Sequence, residues 1–259
     1  MRTIGARTVV FITGAYISHT CWDNWLCYFE EKGYTAIAPP WPGKNADAET
    51  LRKRHPDPVL AAVTINDLIG YFTSIVSQLE EKPIVIGHSL GGLISQLLLN
   101  RGLVAAAVAI HSLSPANTVF NKLKFICAHV DSVGFRSTSD RTYLLPFRKW
   151  QQLFTNGMTL DEQKDAYYET VIPESKRVMR GVWTPAVIMD FSVAHRPLLL
   201  LAGSLDHYVS VSQVKKNFNR YKNLYSTVDL VVRECNHFAP VAGAWMEDAD
   251  RILDWLSAH

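Results

Sequence analysis

The sequence predicts an α/β fold: a mostly parallel central sheet flanked by helices, with a helical cap inserted after the strand at about 105–111. Three observations predict it. Short apolar runs rich in β-branched residues recur along the chain, helix-like segments alternate with them, and the alternation breaks once, between Ser112 and about Val193. The chain has 259 residues, of which 48% are apolar and 19% charged. That size and balance suit one large domain with a substantial core.

Six runs have the length of buried strands: TVVFIT (8–13), YTAIA (34–38), PIVIG (83–87), AAAVAIH (105–111), PLLLLAG (197–203) and TVDLVVR (227–233). Their hydrophobicity is continuous rather than alternating, so both faces are expected to be covered, as in a parallel sheet. Helices are expected over 22–32, 59–80, 90–101, 211–222 and 243–257. In the last of these, Trp245, Ala249, Ile252, Leu253 and Leu256 recur at helical spacing. Strands alternating with helices make a layered α/β domain.

Between Ser112 and Val193 no strand is expected. Thr159 and Glu162 form the capping-box pattern that starts a helix. About 80 residues are too many for a simple connection, so 113–193 is expected to form a cap over the strands' carboxyl ends. Residues 1–112 and 194–259 then form the core. The cap is rich in aromatic residues, among them Phe120, Phe125, Phe135, Tyr143, Phe147, Trp150, Phe154, Tyr167, Tyr168 and Trp183. Most are expected in the cap's own core, with a minority facing a pocket.

Composition excludes several function classes. A formal charge of +2 argues against a nucleic-acid or anionic-membrane partner. The densest basic stretch, LRKRH at 51–55, reads as a solvated face. No apolar run approaches the ~18 residues that span a bilayer. Cys21, Cys27, Cys127 and Cys235 are scattered without a CxxC, as in a reduced cytoplasmic protein. No two histidines lie close enough for local zinc-site spacing, and neither a metal nor a cofactor is expected. The N-terminal MRTIGARTVVFITGA faintly resembles a secretory signal, but TVVFIT is needed as the first strand.

The chemistry centres on GHSLGG at 87–92. A buried strand ends at Gly87 and a helix with apolar Leu90, Leu93, Ile94, Leu97 and Leu98 begins just after Ser89. Strand, sharp turn and helix are the context of a GxSxG nucleophile elbow. Glycines two residues before and after the serine avoid collisions that a side chain would make there. A serine hydroxyl becomes reactive only when a base takes its proton and a carboxylate orients that base. Asp206 follows the fifth expected strand in SLDHYVS, and His237 follows the sixth in ECNHFAP. Both belong at the edge where Ser89 sits. The alternative acid position, after AAAVAIH, offers no carboxylate. Backbone N–H groups of Leu90 and of Ala15 (with Tyr16 next) are the expected oxyanion donors. Tyr16, His88, Trp150, His207 and Phe238 are candidate pocket-lining residues.

With these motifs in view, the chain resembles the α/β-hydrolases, in particular their Ser-His-Asp esterase-like group, over essentially its whole length. GHSLGG, GSLDHYV and CNHF match the family's nucleophile, acid and histidine loops. The stretch GAYISHTCWDNWLCYFEEKGYTAIAPPWPG resembles its passage from oxyanion loop to second strand. Two departures stand out. Thr13-Gly14 replaces the usual His-Gly, and PPWPGKN replaces the common Asp-x-x-Gly-x-Gly run. The resemblance implies a serine hydrolase acting on a small, apolar ester, thioester or related acyl compound, without a cofactor. Two alternatives share the fold: a lyase or C–C bond hydrolase using the triad for proton transfer, and a non-catalytic ligand receptor.

Overall fold

A computed structural model describes residues 4–118, 138, 140–238, 241–243 and 245–259. Phe120, Phe125, Phe135 and Cys127 lie outside the described residues. Six parallel strands form the central sheet: β1 (Thr8–Ile12), β2 (Thr35–Ile37), β3 (Ile84–His88), β4 (Ala106–Ile110), β7 (Leu198–Gly203) and β8 (Val228–Arg233). They lie in the order β2-β1-β3-β4-β7-β8. All six expected strands are there, and the inner four are buried throughout apart from Thr8 at the start of β1, which is why their hydrophobicity does not alternate. β8 forms one edge and is only partly buried, with Val232 exposed.

Register aligns the ends of the inner strands. Ile12 pairs with Gly87, Gly87 with Ala109, Ile110 with Leu201, and Gly203 with Arg233. The segments that follow β1, β3, β4, β7 and β8 therefore leave from one edge. The chain also reverses direction across the sheet between β1 and β3, since β2 and β3 lie on opposite sides of β1. In open α/β sheets ligands bind outside the carboxyl ends at such a switch point.

The flanking helices follow the sequence with two adjustments. The expected helix over 59–80 is divided into Pro58–Ala62 and Ile65–Ser77. Thr64 and Asp67 form a second capping box that starts the longer piece, and hydrogen-bonding side chains at a cap outcompete continuous propensity. The helix after β7 is Val211–Phe218, shorter than expected. The last, Trp245–Ala258, buries Ala249, Ile252 and Leu256 as its spacing requires. Phe11 of β1 anchors one face of the sheet, packing against Trp22, Trp25 and Phe29 at centroid separations of 5.0, 6.0 and 5.3 Å. Each such aromatic pair adds about 1 kcal/mol beyond its buried area.

Between β4 and β7 the described chain carries the helices Phe147–Leu153, Leu160–Thr170 and Lys176–Gly181. Thr159 and Glu162 do form a capping box. One expectation is corrected: two short strands, β5 (Thr142–Tyr143) and β6 (Glu174–Ser175), pair antiparallel here. Two residues are too few for period-2 patterning to register in a sequence. Among the described residues no helix is long and apolar enough to cross a membrane, and Cys21, Cys27 and Cys235 are free thiols.

Candidate active site

Ser89 sits between β3 and the helix Leu90–Asn100, with φ 55° and ψ −115°. Tyr16, after β1, and His111, after β4, also have positive φ, at 68° and 47°. Among the described residues these three are the non-glycine positions with positive φ. All lie at the carboxyl edge of neighbouring strands. Strained backbone costs about 1–3 kcal/mol per residue and persists only where the surroundings enforce it, as at functional sites.

The elbow's glycines are steric requirements. A Cβ on Gly87 would overlap the Gly91 carbonyl and the Ser95 hydroxyl, and one on Gly92 would lie 2.7 Å from Ser112 Cβ. A Cβ on Gly91 would overlap the Ile12 carbonyl and lie 2.6 Å from the Thr13 carbonyl oxygen. Those neighbours are backbone at the end of β1 and just past it, and cannot swing away. Gly91→Ala is therefore expected to cost more than about 4 kcal/mol, the range of severe core disruption. A urea-unfolding midpoint within experimental error of the parent's would refute this account of the turn.

The acid and the histidine meet. His237 Nδ1–H donates to Asp206 Oδ2 at 2.7 Å, with both side chains fully buried. The other carboxylate oxygen, Oδ1, accepts the Tyr208 and Val209 N–H groups at 2.7 Å each. Burial pushes the Asp206 carboxyl up to about 6, while the nearby His111 imidazole and these N–H donors pull it down. Ser210, not Asp206, caps the following helix, its hydroxyl accepting from Gln213 N–H.

Two more imidazoles stand behind the pair. His88 Nε2 lies 2.9 Å from the His237 carbonyl oxygen, and His111 Nδ1 lies 3.3 Å from it. A carbonyl only accepts, so these nitrogens carry the protons of both rings. Burial lowers the pKa of both, that of His111 to about 4, so both are neutral at pH 7. His111 Nδ1 is also 3.8 Å from Asp206 Oδ2, and its Nε2 is 3.6 Å from Cys235 Sγ. Nitrogens of His88, His111 and His237 fall within 4.8 Å of one another, a spacing that brings metal ligation to mind. Each ring commits one nitrogen to the His237 carbonyl or to Asp206.

Ser89 follows His88, whose ring centroid is 4.7 Å from that of His237. Gly14 in the loop after β1 closes on this point, since a Cβ there would lie 2.9 Å from Ser89 Cβ and 3.0 Å from His88 Nδ1. Leu90 opens its helix, so its N–H has no carbonyl one turn back to bond. The Tyr16 N–H is already used: it donates to Glu174 Oε2 at 3.2 Å. That leaves Ala15, not Tyr16, as the candidate second donor. Thr13, where the resembled family usually has histidine, has its hydroxyl oxygen 3.4 Å from Cys21 Sγ and donates to the Ser18 carbonyl at 3.5 Å.

The remaining candidates divide. Tyr16, His88, Trp150 and Phe238 are buried, and His207 is exposed. The His207 ring is tied to the Gln152 carbonyl at 3.0 Å. Trp150 stacks on Phe154 at 4.8 Å and meets Phe238 edge-on at 4.8 Å. Phe154 and Tyr208 in turn flank the His237 ring at 4.8 and 4.9 Å. Sequence reasoning missed Tyr208, His111, Glu174 and Lys44. His111 had a signal: it is the first residue past β4, a position searched only for carboxylates. Lys44 sits in an irregular segment and Glu174 opens the two-residue β6, neither with a local pattern.

A serine on a strand–turn–helix elbow, followed along the chain by a paired aspartate and histidine on the same parallel sheet edge, defines the α/β-hydrolase class. The chain belongs to the alpha/beta hydrolase family, whose sequence model matches residues 9–255. It is similar in fold to an extracellular alpha/beta-hydrolase from a Paenibacillus species, described as sharing structural and functional homology with tobacco salicylic acid binding protein 2. That match has a TM-score of 0.72 and 16% identity over 95% of this chain and 98% of that one. A monoacylglycerol lipase from Paleococcus ferrophilus matches with a TM-score of 0.68 and 19% identity, over 97% of this chain and 94% of that one. A methylesterase from Arabidopsis matches with a TM-score of 0.68 and 14% identity, over 97% and 99% respectively. No curated protein is significantly similar in sequence.

Proposed function

We propose that the protein is a serine hydrolase that cleaves a small, apolar ester, thioester or related acyl compound through an acyl-serine intermediate. The observation that carries this reading is the buried Asp206–His237 hydrogen bond of 2.7 Å at the sheet edge that also bears Ser89 on its strained turn. His237, oriented by Asp206, takes the Ser89 proton as the oxygen attacks the carbonyl carbon. The tetrahedral oxyanion rests on the N–H groups of Leu90 and Ala15. Its collapse expels the alcohol or thiol, which leaves with the proton from His237. Water, deprotonated by the same imidazole, then hydrolyses the acyl-serine and releases the acid. Residues 113–193 act as a cap that bounds the acyl pocket. The rings of Phe154 and Tyr208 beside His237 favour an apolar acyl group. Neighbours named as an esterase, a methylesterase and a lipase point the same way.

The test is covalent trapping. The protein is mixed with p-nitrophenyl esters of graded chain length, quenched within one turnover, and its Ser89 peptide is weighed. An acyl increment on Ser89 that rises and decays with turnover is the expected result. Turnover of the same esters with no adduct would replace this reading with proton-transfer chemistry. Fluorophosphonate labelling of Ser89 without turnover of any ester would replace it with ligand binding.

A further inference from the structure

The loop that carries Ala15 hangs on the segment before β6. Tyr16 C=O accepts the Ile172 N–H at 2.8 Å, Ile17 bridges Val171, and Ser18 N–H donates to the Thr170 carbonyl at 2.9 Å. Glu174 adds a side chain to this seam. Its Oε2 accepts the Tyr16 N–H at 3.2 Å, and its Oε1 accepts the Ser175 N–H at 2.8 Å, which fixes the carboxylate plane. Lys44 Nζ closes on the same Oε2 at 2.5 Å and lies 4.0 Å from the Trp41 ring centroid. Lys44 and Glu174 are 2% and 1% exposed.

We propose that Glu174 is a positioning residue for the oxyanion loop, holding the left-handed Tyr16 peptide so that the Ala15 N–H points at the reacting oxygen. This rests on the serine hydrolase reading above. Ala15's two backbone torsions connect the peptide that Glu174 grips to the peptide that bears the donor. A grip on one therefore sets the direction of the other. Tyr16's φ of 68° is unfavourable for a bulky residue, so the loop needs an external restraint to stay there. A bare carboxylate close to a developing oxyanion would oppose catalysis. Lys44 cancels that charge, which explains why the carboxylate comes with a buried cation. Buried ion pairs add little net stability over apolar groups of similar volume, so orientation is the contribution that remains.

The experiment compares two uncharged double variants, K44M/E174Q and K44M/E174A. Both remove the buried ion pair, so neither leaves a lone charge. Gln keeps one acceptor oxygen, which serves the Tyr16 N–H when its NH2 is turned towards Ser175, and Ala keeps none. Rates are read on the p-nitrophenyl ester turned over fastest and as the rate constant of fluorophosphonate labelling at Ser89. The expected result is a kcat and a labelling rate about a hundredfold lower for K44M/E174A than for K44M/E174Q, the scale of one misplaced oxyanion donor. KM should agree within about threefold. The acid limb of the pH profile should coincide in the two variants, because Asp206 and His237 are untouched. Equal kcat values, a difference confined to KM, or a displaced acid limb would each overturn the proposal. If K44M/E174A does not fold, E174D replaces it. That variant keeps the charge for Lys44 but withdraws the oxygen from Tyr16, and an unchanged kcat would be fatal. Ser89→Ala, run alongside, reports on the hydrolase reading itself, whereas the Gln–Ala contrast reports on Glu174 alone.

Discussion

Ser89→Ala is expected to lower kcat/KM on any ester the protein turns over by at least about a thousandfold, as loss of a triad member does. Fluorophosphonate labelling should vanish with it. The substitution removes one oxygen and leaves the Cβ that already occupies the turn, so the strained φ of 55° is neither relieved nor worsened. The unfolding midpoint should barely move, which separates this variant from Gly91→Ala, where the same motif fails by unfolding. Residual activity reports what oxyanion donors and binding achieve without a nucleophile. A variant retaining more than about a tenth of the parent's rate would remove Ser89 from the chemistry.

Asp206→Asn is expected to cost more, about ten-thousandfold in kcat, by a route that the hydrogen bonds make explicit. In the parent, Oδ1 accepts two backbone N–H groups while Oδ2 faces His237 Nδ1. An asparagine must place its carbonyl oxygen where the Tyr208 and Val209 N–H groups point, because an amide NH2 there would leave donors facing donors. Its NH2 then faces His237 Nδ1. That nitrogen must become an acceptor, the proton moves to Nε2, and the imidazole can no longer take a proton there. KM should change little. The same geometry fixes the sign of the pH dependence. Burial raises the Asp206 carboxyl to about 6, so its ionised fraction is lost as pH falls through that value. A protonated Oδ2 cannot accept from Nδ1–H, and kcat/KM should therefore fall on acidification through about pH 6. The limb belongs to the coupled Asp206–His237 pair rather than to either group alone. A profile flat from pH 7 to 5, or an Asp206→Asn variant within tenfold of the parent, would contradict this.

Much of this protein was legible in its sequence because the relevant signals are local. Each strand of the central sheet announces itself as a continuous apolar run, and the elbow as glycines flanking a serine between a strand and a helix. Asp206 and His237 could be placed at the sheet edge because strand ends locate that edge, and residues just past strand ends must sit there. The division of the 59–80 helix was also written locally, in Thr64 and Asp67, but a strong apolar period masked it. β5 and β6 are too short to carry a period at all.

The sequence by itself determined the sheet, the elbow and the order of the serine, aspartate and histidine, since each depends on hydrophobic periodicity or on steric limits within a few residues. Only the tertiary structure decided what braces them. Lys44 and Glu174 are 130 residues apart, and Tyr16 and Glu174 are 158 apart. The His88 and His111 rings converge on the His237 carbonyl from separations of 149 and 126 residues. Buried polar groups must find partners, but hydrogen-bond demand does not say where along the chain the partner lies. Chain folding settles that choice, and here it joins the loop after β1 to the segment before β6.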